Sequence, residues 1–155
     1  MRREQYEITD PKIIEEILSS AEVCRIAMID NDRPYIVPLN YGYRKNTIYF
    51  HSSQLGKKIE LLKLNNKVCF EIEFFSQIVK RDNPCDWSTK YRSVIGYGTI
   101  DFVEDPDEKR EGLDIIMAHY GKDSKNIYKD TLIDRVLILK LRIKEICGKQ
   151  LGDWK

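Results

Sequence analysis

Histidine is scarce in this 155-residue sequence, with only His51 and His119, too few for most zinc constellations unless carboxylates or scattered cysteines join them. The four cysteines (Cys24, Cys69, Cys85, Cys147) stand far apart with no C-x-x-C. Three of them lie in strand-like apolar runs, where a free thiol behaves as a small hydrophobe, and a reducing cytoplasm fits them. Net charge is lacking too. With 26 basic against 25 acidic residues no overall basic field exists to hold a nucleic-acid backbone, so nucleic acid is not an expected partner. Long hydrophobic runs are missing as well. The start, MRREQYEITDP, is charged and polar, and the most apolar later stretch, Val136 to Ile143, is interrupted by Lys140 and Arg142, so neither secretion nor a membrane span is expected. There is no internal repeat and no low-complexity tract. Residues 1–155 read as one domain, long enough to bury a core without disulfides or metal.

What is present is organised around residues 33–65, RPYIVPLNYGYRKNTIYFHSSQLGKKIELLKLN. Two strand-like runs lead into Ser52, Ser53, Gly56, Lys57 and Lys58, which open a short amphipathic helix expected over about 54–64. Helix N-termini carry the positive end of the backbone dipole and favour Asp or Glu in the first turn, yet two lysines stand there. An anion would resolve the conflict. Exposed amides, two hydroxyls, a glycine that lets a ligand approach and two ammonium groups are the parts of a phosphate cradle. The plainer alternative makes both lysines solvated surface residues.

Along the chain, Asp10-Pro11 followed by Ile13, Ile14, Ile17 and Leu18 predicts a helix over 11–20. Strands are expected at 23–29, 35–43, 47–51, 68–75, 91–103 and 136–147, with turns at 31–34 and 44–46. Pro38 cannot donate to a ladder and belongs at an edge, at a bulge or beside a ligand. Residues 76–90 read as a long loop, and Glu104 to Gly121 as a further helix whose Leu113, Ile116, Met117 and Tyr120 share a face. A tight hairpin and no regular strand–helix alternation predict a mainly β chain with flanking helices: six antiparallel strands in a small closed or split barrel. Ile26, Met28, Val37, Leu39, Phe50, Phe70 and Ile95 are the expected filling, and Gly96 and Gly98 mark a bend or a close approach by another backbone.

The ordered motifs V-P-L-N-Y, Y-F-H-S-x-x-x-G-K-K and Y-x-S-V-x-G, ending in ICGKQ, resemble the pyridoxamine 5'-phosphate oxidase-related flavoproteins, in particular the nitroimidazole-resistance (Nim-type) branch, over roughly residues 3–149. The resemblance implies a split β-barrel homodimer holding one FMN per protomer at the dimer interface. Residues that pyridoxamine phosphate oxidases use for their substrate have no recognisable counterpart, so that named activity is not carried over.

The residue chemistry agrees in type. Ser52, Ser53, Lys57 and Lys58 suit a flavin phosphate, and backbone at Pro38, Leu39 and Asn40 suits the wall of a planar, partly polar ring. His51 is either a histidine hydrogen-bonded near a turn or, in the Nim-like reading, a catalytic group beside the flavin that orients substrate or donates a proton. Of Arg92 and Ser93 only one faces the site. Ser93, with Tyr91, is the expected cofactor contact. Trp154 stacks on a ring or frays, Trp87 caps the pocket or belongs to the loop, and His119 at a helix end is read as structural. Two functions follow: an FMN-dependent oxidoreductase reducing a small acceptor such as a nitroaromatic, or a non-catalytic flavin- or haem-binding module. A cofactor-free interaction barrel is the third reading.

Overall fold

The structure, a computed structural model, describes residues 4–122 and 126–154. A short 3-10 turn (Glu4–Tyr6) leads to strand β1 (Glu7–Ile8) and helix α1 (Pro11–Ser20). The side chain of Asp10 accepts a hydrogen bond from the Lys12 amide at 2.9 Å, and Pro11 follows where a missing amide proton costs nothing. Ile17 and Leu18 are buried by the face this helix turns inward.

Strands β2 (Cys24–Asp30), β3 (Arg33–Leu39), β4 (Gly42–Arg44), β5 (Thr47–Ser53), β6 (Lys67–Val79), β7 (Ser88–Val103) and β8 (Val136–Leu151) form one antiparallel sheet in the order β3-β2-β6-β7-β8-β5-β4, with β1 on β8. Helices α2 (Lys57–Leu64), α3 (Pro106–His119) and α4 (Asp130–Arg135) flank it. The fold is mainly β with flanking helices, of the split-barrel kind. Eight strands replace the six expected, and the sheet does not close on itself.

Local reasons explain the two additional strands. The run 35–43 breaks at Asn40-Tyr41, because the Tyr41 amide donates to the Tyr120 hydroxyl at 3.1 Å and the buried Tyr41 hydroxyl donates to the Leu18 carbonyl at 2.8 Å. β1 is only two residues long and has no periodicity to read. Both ends of the expected loop 76–90 are strand instead, since β6 and β7 keep pairing outward as far as Val79 and Ser88. The connector 126–135 contains α4.

One core cluster joins α1, α2 and the inner sheet face through Ile17, Ile26, Ile48, Phe50, Ile59, Phe70, Ile72, Val94 and Leu141. A second seats α3 on Tyr49, Val103 and Ile138. At Gly42 a Cβ would lie 2.6 Å from the Ile115 carbonyl oxygen and 2.7 Å from the Ile116 Cα, so β4 and the α3 backbone touch there. Gly42→Ala is expected to destabilise the fold by about 1–3 kcal/mol, the usual cost of overpacking, read as a lowered urea midpoint at unchanged slope.

One sequence expectation needs correcting. Ile95 is not core: it is 50% exposed on the outer face, where Tyr97 (55%), Ile29 (61%) and Ile36 (59%) also stand open. Gly96 and Gly98 face inward, where a Cβ would meet the Phe70 ring at 2.4 Å and the Arg142 carbonyl oxygen at 2.3 Å respectively. Gly98 sits at a β8 bulge, so the close approach comes from this chain's own backbone.

Candidate functional site

The loop from β5 into α2 is built differently from a capped helix start. The Ser53 hydroxyl donates to the Leu55 carbonyl at 2.7 Å and accepts from the Leu55 amide at 3.2 Å, which closes a local turn. The Gln54 amide donates to the Asp134 carbonyl at 2.7 Å and ties this loop to the end of α4. The helix therefore begins at Lys57 rather than near Gln54, with Gly56 at the N-cap. No side chain caps it. Gly56 has φ 122°, in the left-handed region that favours glycine, and a Cβ there would find nothing within 4 Å. The Ile59 amide donates to the Gly56 carbonyl at 2.9 Å, which leaves the Lys57 and Lys58 amides at this uncapped end as the first-turn donors an approaching anion could meet.

The two lysines differ. Lys57 is ion-paired with Asp30 at the end of β2 and lies 5.0 Å from the centre of the Tyr35 ring. This carboxylate is a local answer to the missing acidic residue at the start of α2. Lys58 is half-buried and has no ion-pair partner among the described residues; desolvation holds its pKa below the ordinary lysine value. His51 stands on β5 opposite Ile138. Its pKa is lowered, first by desolvation of the imidazole and then by repulsion from Lys58, which keeps the ring neutral at pH 7. Ser52 is partly buried beside it.

Pro38 and Leu39 lie on β3, which among the described residues pairs only with β2. Proline at 38 is thus at an edge, and the other backbone edge of β3 has no strand partner among the described residues. The Leu39 side chain packs against the core. The Asn40 side-chain amide donates to the Glu22 carbonyl at 3.3 Å and to the Tyr120 hydroxyl at 3.2 Å. Of this segment, backbone and the Pro38 ring face outward; the Leu39 and Asn40 side chains are engaged within the chain. Lys57, over Tyr35, places the start of α2 beside this edge.

Tyr91 and Ser93 are elsewhere. Ser93 pairs with Lys149 of β8 whereas His51 pairs with Ile138, eleven residues away along the same strand. At 3.2–3.4 Å per residue that is roughly 35 Å of strand, far longer than a flavin ring system. The expected site residues therefore form two groups: residues 51–53 and 56–58 toward the Ile138 end of the sheet, and Tyr91 and Ser93 toward the other, while Leu39, paired with Cys24 and through it with Ile72 and Val94, falls on the register line next to Ser93. Arg92 points to the opposite face from Ser93; its guanidinium sits 4.1 Å from the Trp154 ring centre and donates to Gln150 at 3.0 Å and Glu16 at 3.1 Å. Trp154 does not fray, since Phe75, Lys90 and Arg92 enclose its ring. Trp87 donates to the Arg81 carbonyl at 2.8 Å within its own hairpin loop. His119 lies 2.7 Å from the Ala21 carbonyl oxygen and against the Tyr41 ring, a packing role.

Between the groups, the outer sheet face carries an apolar cleft of about 800 Å³ lined by Ala27, Ile29, Pro34, Cys69 and Tyr97. It begins next to Asp30, the partner of Lys57.

Residues 10–150 match the family model described as pyridoxamine 5'-phosphate oxidase. The chain belongs to this family. Within it, the chain is 38% identical to a candidate 5-nitroimidazole antibiotic resistance protein from Bacteroides thetaiotaomicron VPI-5482, over 92% of this chain and 85% of that one, with a TM-score of 0.83. Two more distant structures share the fold: the FAD- and heme-binding protein from Mycobacterium smegmatis (18% identity, 96% and 75% of the two chains, TM-score 0.85) and the flavocytochrome Anf3 from Azotobacter vinelandii (17%, 99% and 72%, TM-score 0.82). An uncharacterised protein of Rhizobium meliloti (strain 1021) is 33% identical over 60 residues. That match spans 39% of each chain.

In this family member three residues that shape the site escaped sequence reasoning. Asp30 and Tyr35 meet Lys57 only because the β2–β3 hairpin folds beside α2. Tyr120 braces Asn40 and Tyr41 from the end of α3, donating to the Glu22 carbonyl at 2.6 Å while accepting from both. The NDRP turn signal placed Asp30 next to a hairpin, but no periodicity joins it to residue 57.

Proposed function

We propose that this protein is an FMN-binding flavoprotein acting as an FMN-dependent oxidoreductase on a small acceptor, nitroaromatics included. The observation that carries the reading is the glycine-opened start of α2 without a side-chain cap, with a half-buried Lys58 and a β3 edge beside it that have no partner among the described residues, in a pyridoxamine 5'-phosphate oxidase family chain. These residues fit FMN. Lys58, the first-turn amides and the Ser52 hydroxyl would hold a phosphate dianion, and backbone at residues 38–40 would border the ring. Bound FMN supplies the electron-transfer chemistry; the chain supplies phosphate charge, ring orientation and a neutral imidazole at His51. The nitroaromatic acceptor is supported by the 38% identical Bacteroides protein, and a cytoplasmic location by four free thiols.

The reading includes a homodimer with FMN between protomers. One chain separates His51 from Ser93 by roughly 35 Å of strand, so a flavin touching both takes one of them from each subunit. Ile29, Ile36, Ile95 and Tyr97 then meet a second copy instead of water.

Purified protein is expected to be yellow, and the colour to bleach with NAD(P)H under anaerobic conditions and return on adding a nitroaromatic. Retained colour without bleaching favours the flavin- or haem-binding module, the reading supported by the distant FAD, heme and flavocytochrome folds. Colourless protein that takes up no added flavin removes both.

His51→Ala is expected to leave the protein folded and yellow while altering reoxidation by the acceptor. Because the His51 pKa is depressed, the neutral ring persists below pH 6.5, and wild-type reoxidation should change only on further acidification through the folded pKa. His51→Ala should show no such step. Loss of FMN in this variant would make His51 a cofactor ligand instead.

A further inference from the structure

We propose that Asp30 is an internal counter-ion of the phosphate site, a carboxylate seated on Lys57 with which the flavin phosphate competes, so that Asp30 sets how tightly and how selectively the phosphorylated cofactor is held. The proposal rests on the FMN reading and deepens it.

Lys57 is the first residue of α2, where the helix dipole disfavours a cation, and its ammonium is held by Asp30 across the β2–β3 hairpin. The two ends of this pair are not equally open. The Asp30 side chain is 24% exposed and that of Lys57 50%, so the carboxylate is the anchored member and the lysine the accessible one. Asp30 also accepts from the Asn31 amide at 3.3 Å, which steadies it at the strand end. Tyr35 lies under the ammonium, and Glu60, one turn along α2, adds a further negative charge nearby. Lys57 is thus faced by a carboxylate from β2, an aromatic ring from β3 and a carboxylate of its own helix, whereas its neighbour Lys58 has no ion-pair partner among the described residues.

The consequence is a division of labour between adjacent lysines. A phosphate arriving at the α2 amides meets Lys58 directly, but engages Lys57 only by sharing or displacing a carboxylate of like sign to itself. An ammonium has three donors and can bridge two anions, yet two anions on one cation repel each other, and this repulsion is felt by a phosphate dianion and not by a neutral ligand. Asp30 therefore lowers affinity for the phosphorylated flavin specifically. It also keeps the lysine pair from being an indiscriminate anion trap when no cofactor is present. The conflict legible in the sequence, two lysines at a helix start, is resolved for one of them within the chain.

The test is isosteric replacement, Asp30→Asn, with dissociation constants for FMN and riboflavin measured by quenching of flavin fluorescence in wild type, Asp30→Asn, Lys57→Met and the double variant. Asp30→Asn is expected to tighten FMN by about threefold or more at low salt, within the range an exposed ion pair carries, and to leave riboflavin unchanged. In the Lys57→Met background the gain from Asp30→Asn should shrink, because the cation whose release produces it is gone. An Asp30→Asn protein that binds FMN as the wild type does, or more weakly, overturns the proposal and makes Asp30 a residue that orients Lys57. Equal wild-type affinity for FMN and riboflavin instead overturns the phosphate site itself, and the proposal with it. Thermal unfolding of each apo-variant, with riboflavin binding as the internal control, separates either result from misfolding.

Discussion

Replacing Lys58 with methionine is expected to weaken FMN binding by about tenfold to a hundredfold while riboflavin binding stays near wild type. The range follows from the 1.5–3 kcal/mol typical of a hydrogen bond to a charged group, converted at 1.4 kcal/mol per decade. Lys58 and not Lys57 carries the larger share, because Lys57 already spends its charge on Asp30 and Lys58 has no such partner among the described residues. The half-buried setting works in the same direction. Burial lowers the Lys58 pKa, so an anion brought against it recovers solvation that the protein alone does not supply. Methionine keeps the packing length of the stem, so the apo-protein should unfold as the wild type does. Equal loss of both flavins would place Lys58 in the scaffold instead of the phosphate site. With Lys58 gone, one cause of the low His51 pKa is also removed, and the imidazole should titrate closer to its ordinary value.

Ile95→Asp is expected to convert the proposed dimer of 18.3 kDa chains into monomers and to release most of the flavin proposed to lie between them. Ile95 stands on β7, near the middle of the strand order, between Glu71 of β6 and Cys147 of β8. Its side chain is half-exposed in the isolated chain, so the monomer tolerates a carboxylate there at little cost. Pressed against the apolar face of a second copy, the same carboxylate would lose its hydration without gaining a partner, a penalty of several kcal/mol and a weakening of at least about a hundredfold. Light scattering at micromolar protein with parallel absorbance of the retained flavin reads both effects. A monomeric wild type with FMN fully bound would refute the shared site. Mixing supplies a second check. A Lys58→Met subunit and a subunit altered at Ser93 damage opposite groups, so their heterodimer keeps one complete site, and flavin binding should partly return where neither parent holds it well.

Much of the fold was legible because local rules sufficed. Asp10-Pro11 marked the start of α1, the alternation of Val68, Phe70 and Ile72 marked an inward face of β6, and the apolar periodicity after Asp105-Pro106 marked α3. Strand ends were misjudged where pairing overrode composition. Residues 76–79 and 88–90 are strand because each supplies the other's ladder, a fact of the hairpin and not of either segment. Ile95 was assigned inward and faces out, since an isoleucine in an apolar run does not reveal which face of the pleat it occupies. The neighbouring glycines occupy the inner face, because Phe70 and the Arg142 carbonyl leave no room for a side chain.

For the site, the sequence by itself determined the chemistry. It set the hydroxyls, the glycine and the paired lysines at a helix start, the histidine upstream, and motifs in an order that pointed to the family the comparison then showed. Only the tertiary structure decided how those parts are used. It gave Lys57 to Asp30, engaged the Ser53 hydroxyl in a turn with Leu55, aimed the Asn40 side chain at Tyr120 and placed Tyr91 and Ser93 at the far end of the sheet from His51. The physical reason is range. Propensity, capping and dipole effects act within a few residues of sequence, whereas ion pairing and sheet register join positions such as 30 and 57 or 93 and 149, which meet only after the hairpins have closed.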